Sequence, residues 1–288
     1  MRIDAHHHLW DLAAVHYPWL MARGVTRFFG DPGPIQRDYL LEEFRRDAAG
    51  FDASVHIQVG AADGWAEAQW VQAVADAAPD WPLAQVAFCD LTDQAHEDHL
   101  DRLQTLPSVR GVRQIVGRAP DEDAATGTNA LLDDPAFAVG LRTLGTRGLS
   151  FDLQLIPELY AGMARVLDRA PDTPVALCHA GSPHDRSPAG LRAWADQLRL
   201  LSDRPQVTCK LSGLGMFDHA WTRDSLRPVI ETCLDQFGPD RCMFGSNFPV
   251  DSLYSDYAAI VTAQEAIVPQ TAQTAVFQDT AARFYALP

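Results

Sequence analysis

With 288 residues, 47% of them hydrophobic and 21% charged, the chain has an ordinary globular composition and the length of one large α/β domain or two small ones, ample to bury a core. Its formal charge of -15, with no basic stripe to offset it, argues against a nucleic-acid partner or an anionic membrane surface, but says little about small-molecule substrates, because local fields in a cleft can oppose the net charge. No run approaches the roughly 20 apolar residues that span a bilayer, and the N-terminus lacks a signal-peptide layout, so a cytoplasmic location is expected. The five cysteines form no CxxC pair and suit reduced thiols.

The first β-type run, Ile3 to Leu9, contains His6, His7 and His8. Side chains alternate faces along a strand, so His6 and His8 project together and His7 projects the other way. Two imidazoles one pleat apart can hold a divalent metal from one side. Met1, Ile3, Ala5 and Trp10 make the trio part of a buried strand, which argues against a purification tag.

Seven further runs follow: Ser54 to Val59, Leu83 to Asp90, Gly111 to Val116, Leu149 to Leu155, Val175 to His179, Val207 to Ser212 and Arg241 to Asn247. Between and after them lie amphipathic segments at Trp65 to Ala78, Gln94 to Leu106, Asp134 to Thr146, Pro157 to Ala170, Ser187 to Ser202, Arg223 to Phe237 and Ser255 to Ala266. Asp134 before Pro135 and Ser187 before Pro188 place a cap ahead of a first-turn proline. Such alternation implies parallel strands with crossover helices, and eight units in this length predict one (β/α)8 TIM barrel over residues 1–288. A doubly wound sheet is the competing arrangement, but no strand is followed by GxGxxG or a P-loop. Two long segments, Asp11 to Arg37 and Gly117 to Asp133, follow predicted strands and should overhang the catalytic face.

In such a barrel the carboxyl ends of the strands converge on one site. Those ends carry His6 and His8, His56 and Gln58, Asp90, Arg113 and Gln114, Asp152 and Gln154, His179, Lys210 and Ser212, and Asn247. Core strands favour apolar residues, so polar groups recurring at the same end of apolar runs point to function.

The HxH of the first strand, Leu177-Cys178-His179-Ala180-Gly181, Cys209-Lys210-Leu211-Ser212-Gly213 and Met243-Phe244-Gly245-Ser246-Asn247-Phe248-Pro249 together resemble the amidohydrolase superfamily. More narrowly, the pattern is similar to the amidohydrolase 2 type branch of metal-dependent barrel hydrolases, which holds sugar-acid lactonases such as those for L-fuconolactone and L-rhamnonolactone. The resemblance runs from Arg2 to the C-terminal Ala281-Ala282-Arg283-Phe284-Tyr285 segment. It implies that His6, His8 and His179 are the metal ligands, with zinc the expected ion and a metal-independent mode as the alternative, and that His179 contacts either the metal or the hydrolytic water. Superfamily members with two metals use a lysine or glutamate on the fourth strand and a histidine on the fifth. Arg113-Gln114 and Gln154 stand there in this chain, so at most one metal is expected.

Asn247 departs from the superfamily pattern, which places an aspartate at this position as metal ligand and general base. A neutral amide can orient a water or ligate weakly through its oxygen, but it takes no proton near pH 7. His179, His56, Asp152 and Asp251 are the candidate replacement bases. Arg113 and Lys210 suit stabilisation of a developing oxyanion, and Trp10, Gln58, Gln114, Gln154 and Ser212 are expected to contact substrate. Tyr17, Trp19, Phe217 and Trp221 lie beyond strand ends and can wall the pocket, while His184-Asp185 can reach it from a loop.

The activity implied by the resemblance is hydrolysis of a lactone, of a sugar acid or similar polar acid, by an activated water. A metal-dependent decarboxylase of an aromatic acid is the alternative within the superfamily. A non-catalytic ligand-binding barrel is the alternative outside catalysis, and Asn247 is the argument for it.

Overall fold

The computed structural model describes residues 1–126 and 128–288; Gly127, inside the second long segment, lies outside the described residues. Eight parallel strands pair in sequence order: β1 (Ile3–His7), β2 (Ala53–Ile57), β3 (Leu83–Phe88), β4 (Val109–Arg113), β5 (Ser150–Leu153), β6 (Val175–Leu177), β7 (Val207–Leu211) and β8 (Cys242–Phe244). The helices are α1 (Pro18–Met21), α2 (Leu41–Asp47), α3 (Gly64–Ala77), α4 (His96–Gln104), α5 (Pro120–Thr126), α6 (Pro135–Thr146), α7 (Tyr160–Leu167), α8 (Pro188–Ser202), α9 (Arg223–Phe237), α10 (Tyr257–Ile267) and α11 (Thr280–Tyr285). This is the expected TIM barrel. Among the described residues, no helix is long and apolar enough to cross a membrane.

The predicted caps form. The Asp134 side chain accepts from the Ala136 N–H and the Ser187 side chain from the Gly190 N–H, each ahead of a proline that has no N–H to satisfy. Most strands end one to three residues earlier than the sequence pattern suggests. Polar residues such as His8, His179 and Asn247 thus stand on the turns just past the last paired residue.

The seam between β1 and β8 is closed in an unusual way. Oδ1 of Asp4 accepts the backbone N–H of both His6 and Ser246, at 3.0 Å each, doing the work that strand carbonyls do elsewhere in the barrel. Beyond it, the Asn247 N–H donates to the His6 carbonyl and the His8 N–H to the Phe248 carbonyl, both at 2.7 Å. Asp4 reaches outward to the Tyr257 hydroxyl on α10, and His7 reaches outward to stack on Phe44 of α2 with ring centroids 3.8 Å apart. Two residues three apart facing the same side break the strict alternation, and the β1–β2 register shifts between Asp4 and His7 accordingly. The break turns His6 and His8 into the barrel while Ile3 and Ala5 also pack inside it.

The barrel interior below the site is lined by small residues, Ala5, Ala53, Ala84 and Ala176 among them, with Ile3, Val55, Val86 and Met243. Their size leaves room for Tyr285, which α11 inserts into this cluster. The Tyr285 hydroxyl donates to Asp152 at 2.8 Å, and the Tyr285 ring lies 5.0 Å from the Lys210 ammonium.

Candidate active site

A cleft opens at the carboxyl ends of the strands, with about 570 Å³ of space between its side chains, solvent at the mouth included. His8, Arg113, Gln154, His179 and Asn247 form its floor, and Trp19, Phe28 and Phe29 wall it.

His6 underlies the floor. Its ring lies 4.6 Å from that of His179 and 5.2 Å from that of His8, centroid to centroid. It is fully buried, yet neither ring nitrogen has a hydrogen-bond partner among the described residues. His8 is oriented by its Nδ1, 2.8 Å from the Ile57 carbonyl, which leaves Nε2 facing Asn247 Oδ1 at 3.3 Å. His179 is oriented by its Nδ1, 3.1 Å from the Ser212 hydroxyl, which leaves its Nε2 unengaged by that contact. Burial, with the positive groups nearby, pushes the proton affinity of all three imidazoles down, that of His179 to about 3. They are therefore neutral at pH 7, the form that ligates a metal or accepts a proton.

The donor chemistry fits a single divalent ion: three neutral imidazoles, two with a fixed outer nitrogen, and a buried His6 ring with both nitrogens unpartnered. As they stand, no three His, Cys, Asp or Glu side chains among the described residues converge tightly enough to hold an ion.

The backbone at the floor is strained. His179, Ala180 and Ser182 have φ of 56°, 52° and 57°, and Asn247 has φ of 57°, left-handed values that residues with a Cβ rarely adopt. Gly213, at φ +59°, stands against the His179 ring, and a Cβ there would collide with Nδ1.

Arg113 is 5% exposed and donates to Gln154 Oε1 at 3.2 Å and to the Gln58 carbonyl. No carboxylate pairs with it among the described residues, and its Nε is unpartnered. Asn247 is held from behind by Asp251, whose Oδ1 accepts from Asn247 Nδ2 at 2.8 Å. Burial raises the Asp251 carboxyl to about 7.

Several expected site residues stand elsewhere. Lys210 is fully buried below the cleft, where its ammonium pairs with Asp152 and donates to the Ala5 carbonyl at 2.6 Å. Its counter-charge is thus a side chain of the barrel. Trp10 donates to the Arg37 carbonyl at 2.6 Å and packs against Trp19 and Tyr39. Gln114 points away from Arg113, as its neighbour in a strand direction must, and bonds Asp90 and the Leu91 N–H. Gln58 accepts from the Gly60 N–H, and Ser212 serves His179. None of these five lines the cleft. His56 faces Glu67 on α3, and His184 pairs with Glu158, so neither reaches the floor.

Sequence reasoning missed Arg27 and Arg118, which line the cleft mouth from the two long segments. The available signal was positive charge on segments already expected to overhang the site.

Residues 3–287 match the family model described as amidohydrolase. The chain belongs to the amidohydrolase family. This amidohydrolase is 37% identical to the uncharacterized protein y4mH of Sinorhizobium fredii, over 98% of this chain and 97% of that one. It is 30% identical to an L-fucono-1,5-lactonase of Burkholderia multivorans, over 100% of this chain and 97% of the relative. Among solved structures, an amidohydrolase from Burkholderia multivorans with bound zinc superposes with a TM-score of 0.83 at 28% identity, covering 100% of both chains.

Proposed function

We propose that this amidohydrolase opens a lactone, the cyclic ester of a sugar acid or similar polar acid, with water as the nucleophile. The observation that carries the reading is the cleft floor, where neutral His179 and His8, with Asn247 between β8 and the mouth, face the uncompensated guanidinium of Arg113. The similarity to an L-fucono-1,5-lactonase supports a lactone as substrate.

His6, His8 and His179 would hold a single divalent ion, zinc by ligand type, which when bound polarises the ester carbonyl and lowers the pKa of a water. The chain's own residues supply the rest. Asn247 Oδ1 accepts from a water and orients it. In the mode that uses no ion, His179 Nε2 takes the proton of that water. Its low resting affinity rises as negative charge develops beside it on the carbonyl oxygen. Arg113, held by Gln154 and the Gln58 carbonyl, stabilises that oxyanion in a site of low dielectric. Of the four candidate bases, His179 lines the cleft and His56, Asp152 and Asp251 do not.

The test is turnover of an aldonolactone panel, followed by acid release with a pH indicator, on protein of measured metal content. Ring opening by the native protein and its loss in His179→Ala is the expected result. Carbon dioxide release from aromatic acids would favour the decarboxylase, and ligand binding without turnover would favour the binding barrel.

A further inference from the structure

Hydrolysis of a neutral lactone needs one cationic group at the carbonyl oxygen, and this cleft has three. Arg27, Arg113 and Arg118 line it, and no Asp or Glu does among the described residues. The concentration of positive charge stands out in a chain of net charge -15. Arg113 occupies the floor. Arg27 and Arg118 reach the mouth from different segments and are about a fifth exposed; Glu122 pairs with Arg27 and lies 3.8 Å from Arg118 Nε, and the Asp123 carboxylate, which accepts the Arg118 backbone N–H, also acts favourably on the Arg118 guanidinium. Neither carboxylate lines the cleft, whereas both guanidiniums do. Arg118 is also close enough to both Arg27 and Arg113 for their charges to act on it unfavourably.

We infer that the substrate carries a carboxylate remote from its ester carbonyl, received at the mouth by Arg27 and Arg118 while the carbonyl faces Arg113. The chemical class is then the lactone of a diacid. The inference rests on the hydrolase reading for the reacting end, and on the three guanidiniums for the other. Planar guanidinium forks bind carboxylates through paired hydrogen bonds, and a half-buried seat beside Trp19, whose ring lies 5.6 Å from Arg27, strengthens them. Opening the ring of such a substrate adds water across the acyl C–O bond and leaves a dicarboxylate, with one carboxylate at each end of the arginine array.

The experiment compares aldarolactones with the matching aldonolactones, which differ in a terminal carboxylate against an alcohol, and measures calorimetric binding of the corresponding aldarates. The native protein should favour the carboxylate-bearing lactones by about 10- to 100-fold in kcat/KM, the range of a charge-assisted contact. Arg118→Gln should collapse that preference through KM and weaken aldarate binding by a similar factor. Glu122→Gln, which removes the competing carboxylate, should tighten aldarate binding; if Arg118→Gln fails to fold, this gain decides the matter. Equal kcat/KM for both lactone series, or an equal loss for both in Arg118→Gln, would overturn the carboxylate seat and leave the hydrolase reading intact. Aldarate binding that depends on Arg118 without turnover of any lactone would uphold the seat and overturn the hydrolase reading. Absence of aldarate binding to the native protein at millimolar concentration overturns the seat.

Discussion

Asn247 Nδ2 donates to Asp251 Oδ1 at 2.8 Å, and this bond decides which end of the amide enters the cleft. With the nitrogen engaged behind, the oxygen faces His8 Nε2 at 3.3 Å and can receive a water proton. On the proposed reading, Asn247 orients the water and His179 takes its proton. Asn247→Ala should lower kcat moderately, whereas His179→Ala should cost on the order of 10²- to 10⁴-fold, measured as steady-state lactone turnover. Asn247→Asp places an anionic oxygen beside His8 and should tighten metal binding. If only Asn247→Asp turns over lactones and the native protein is silent, the hydrolase assignment is wrong.

Asp251 links stability to pH with a definite sign. Its carboxyl is raised from 3.8 to about 7 by burial, so the folded state holds the proton more tightly than the unfolded chain. The contribution is most favourable below about 4 and is lost as pH rises toward 7, by on the order of a few kcal/mol. Asp251→Asn keeps an acceptor for Asn247 and removes the charge. The Tm of this variant relative to the native protein should climb between pH 4 and 8; a flat difference would show that burial at Asp251 is relieved in another way.

Lys210 and Asp152 form an ion pair with both side chains at 0% exposure. Removing one partner strands the other in the barrel interior, so Lys210→Met and Asp152→Leu should each destabilise by about 3–5 kcal/mol in urea unfolding. The double variant should lose much less than the sum. Additive losses would mean that the two charges are not each other's main compensation.

Ser212 and Gly213 hold the His179 ring from two sides. Ser212→Ala removes the partner of Nδ1, and about a 10- to 100-fold loss in kcat or metal affinity is expected, with the fold intact by circular dichroism. Gly213→Ala puts a Cβ against the ring at a positive φ and should be worse. Wild-type activity in Gly213→Ala would show that the ring has freedom to move.

Zinc, measured by atomic emission after metal loading, should not exceed one ion per chain, because Arg113 and Gln154 stand where a second ion would need ligands. His6→Ala should reduce the bound amount sharply. Two ions per chain would contradict the assignment of the fourth and fifth strands.

The alternation of apolar runs with amphipathic segments was enough to determine the barrel, because each strand buries both faces and each helix buries one, and these periods are written locally. His6, His8, His179 and Asn247 were legible for the same reason: polar groups at the ends of apolar strands are costly to bury unless a site uses them. The roles of Lys210 and Gln114 were not legible, since a strand-end position does not say how far below the rim a side chain stops or which face it takes. The inward turn of His6 came from the shifted register of β1, which the Asp4 carboxylate accommodates by bonding across the seam to Ser246, 242 residues away. Arg27 and Arg118 entered the site only through the packing of two long irregular segments, where no period relates sequence to direction. Local hydrophobic pattern thus set which residues could meet at the barrel's mouth, and long-range contacts decided which of them do.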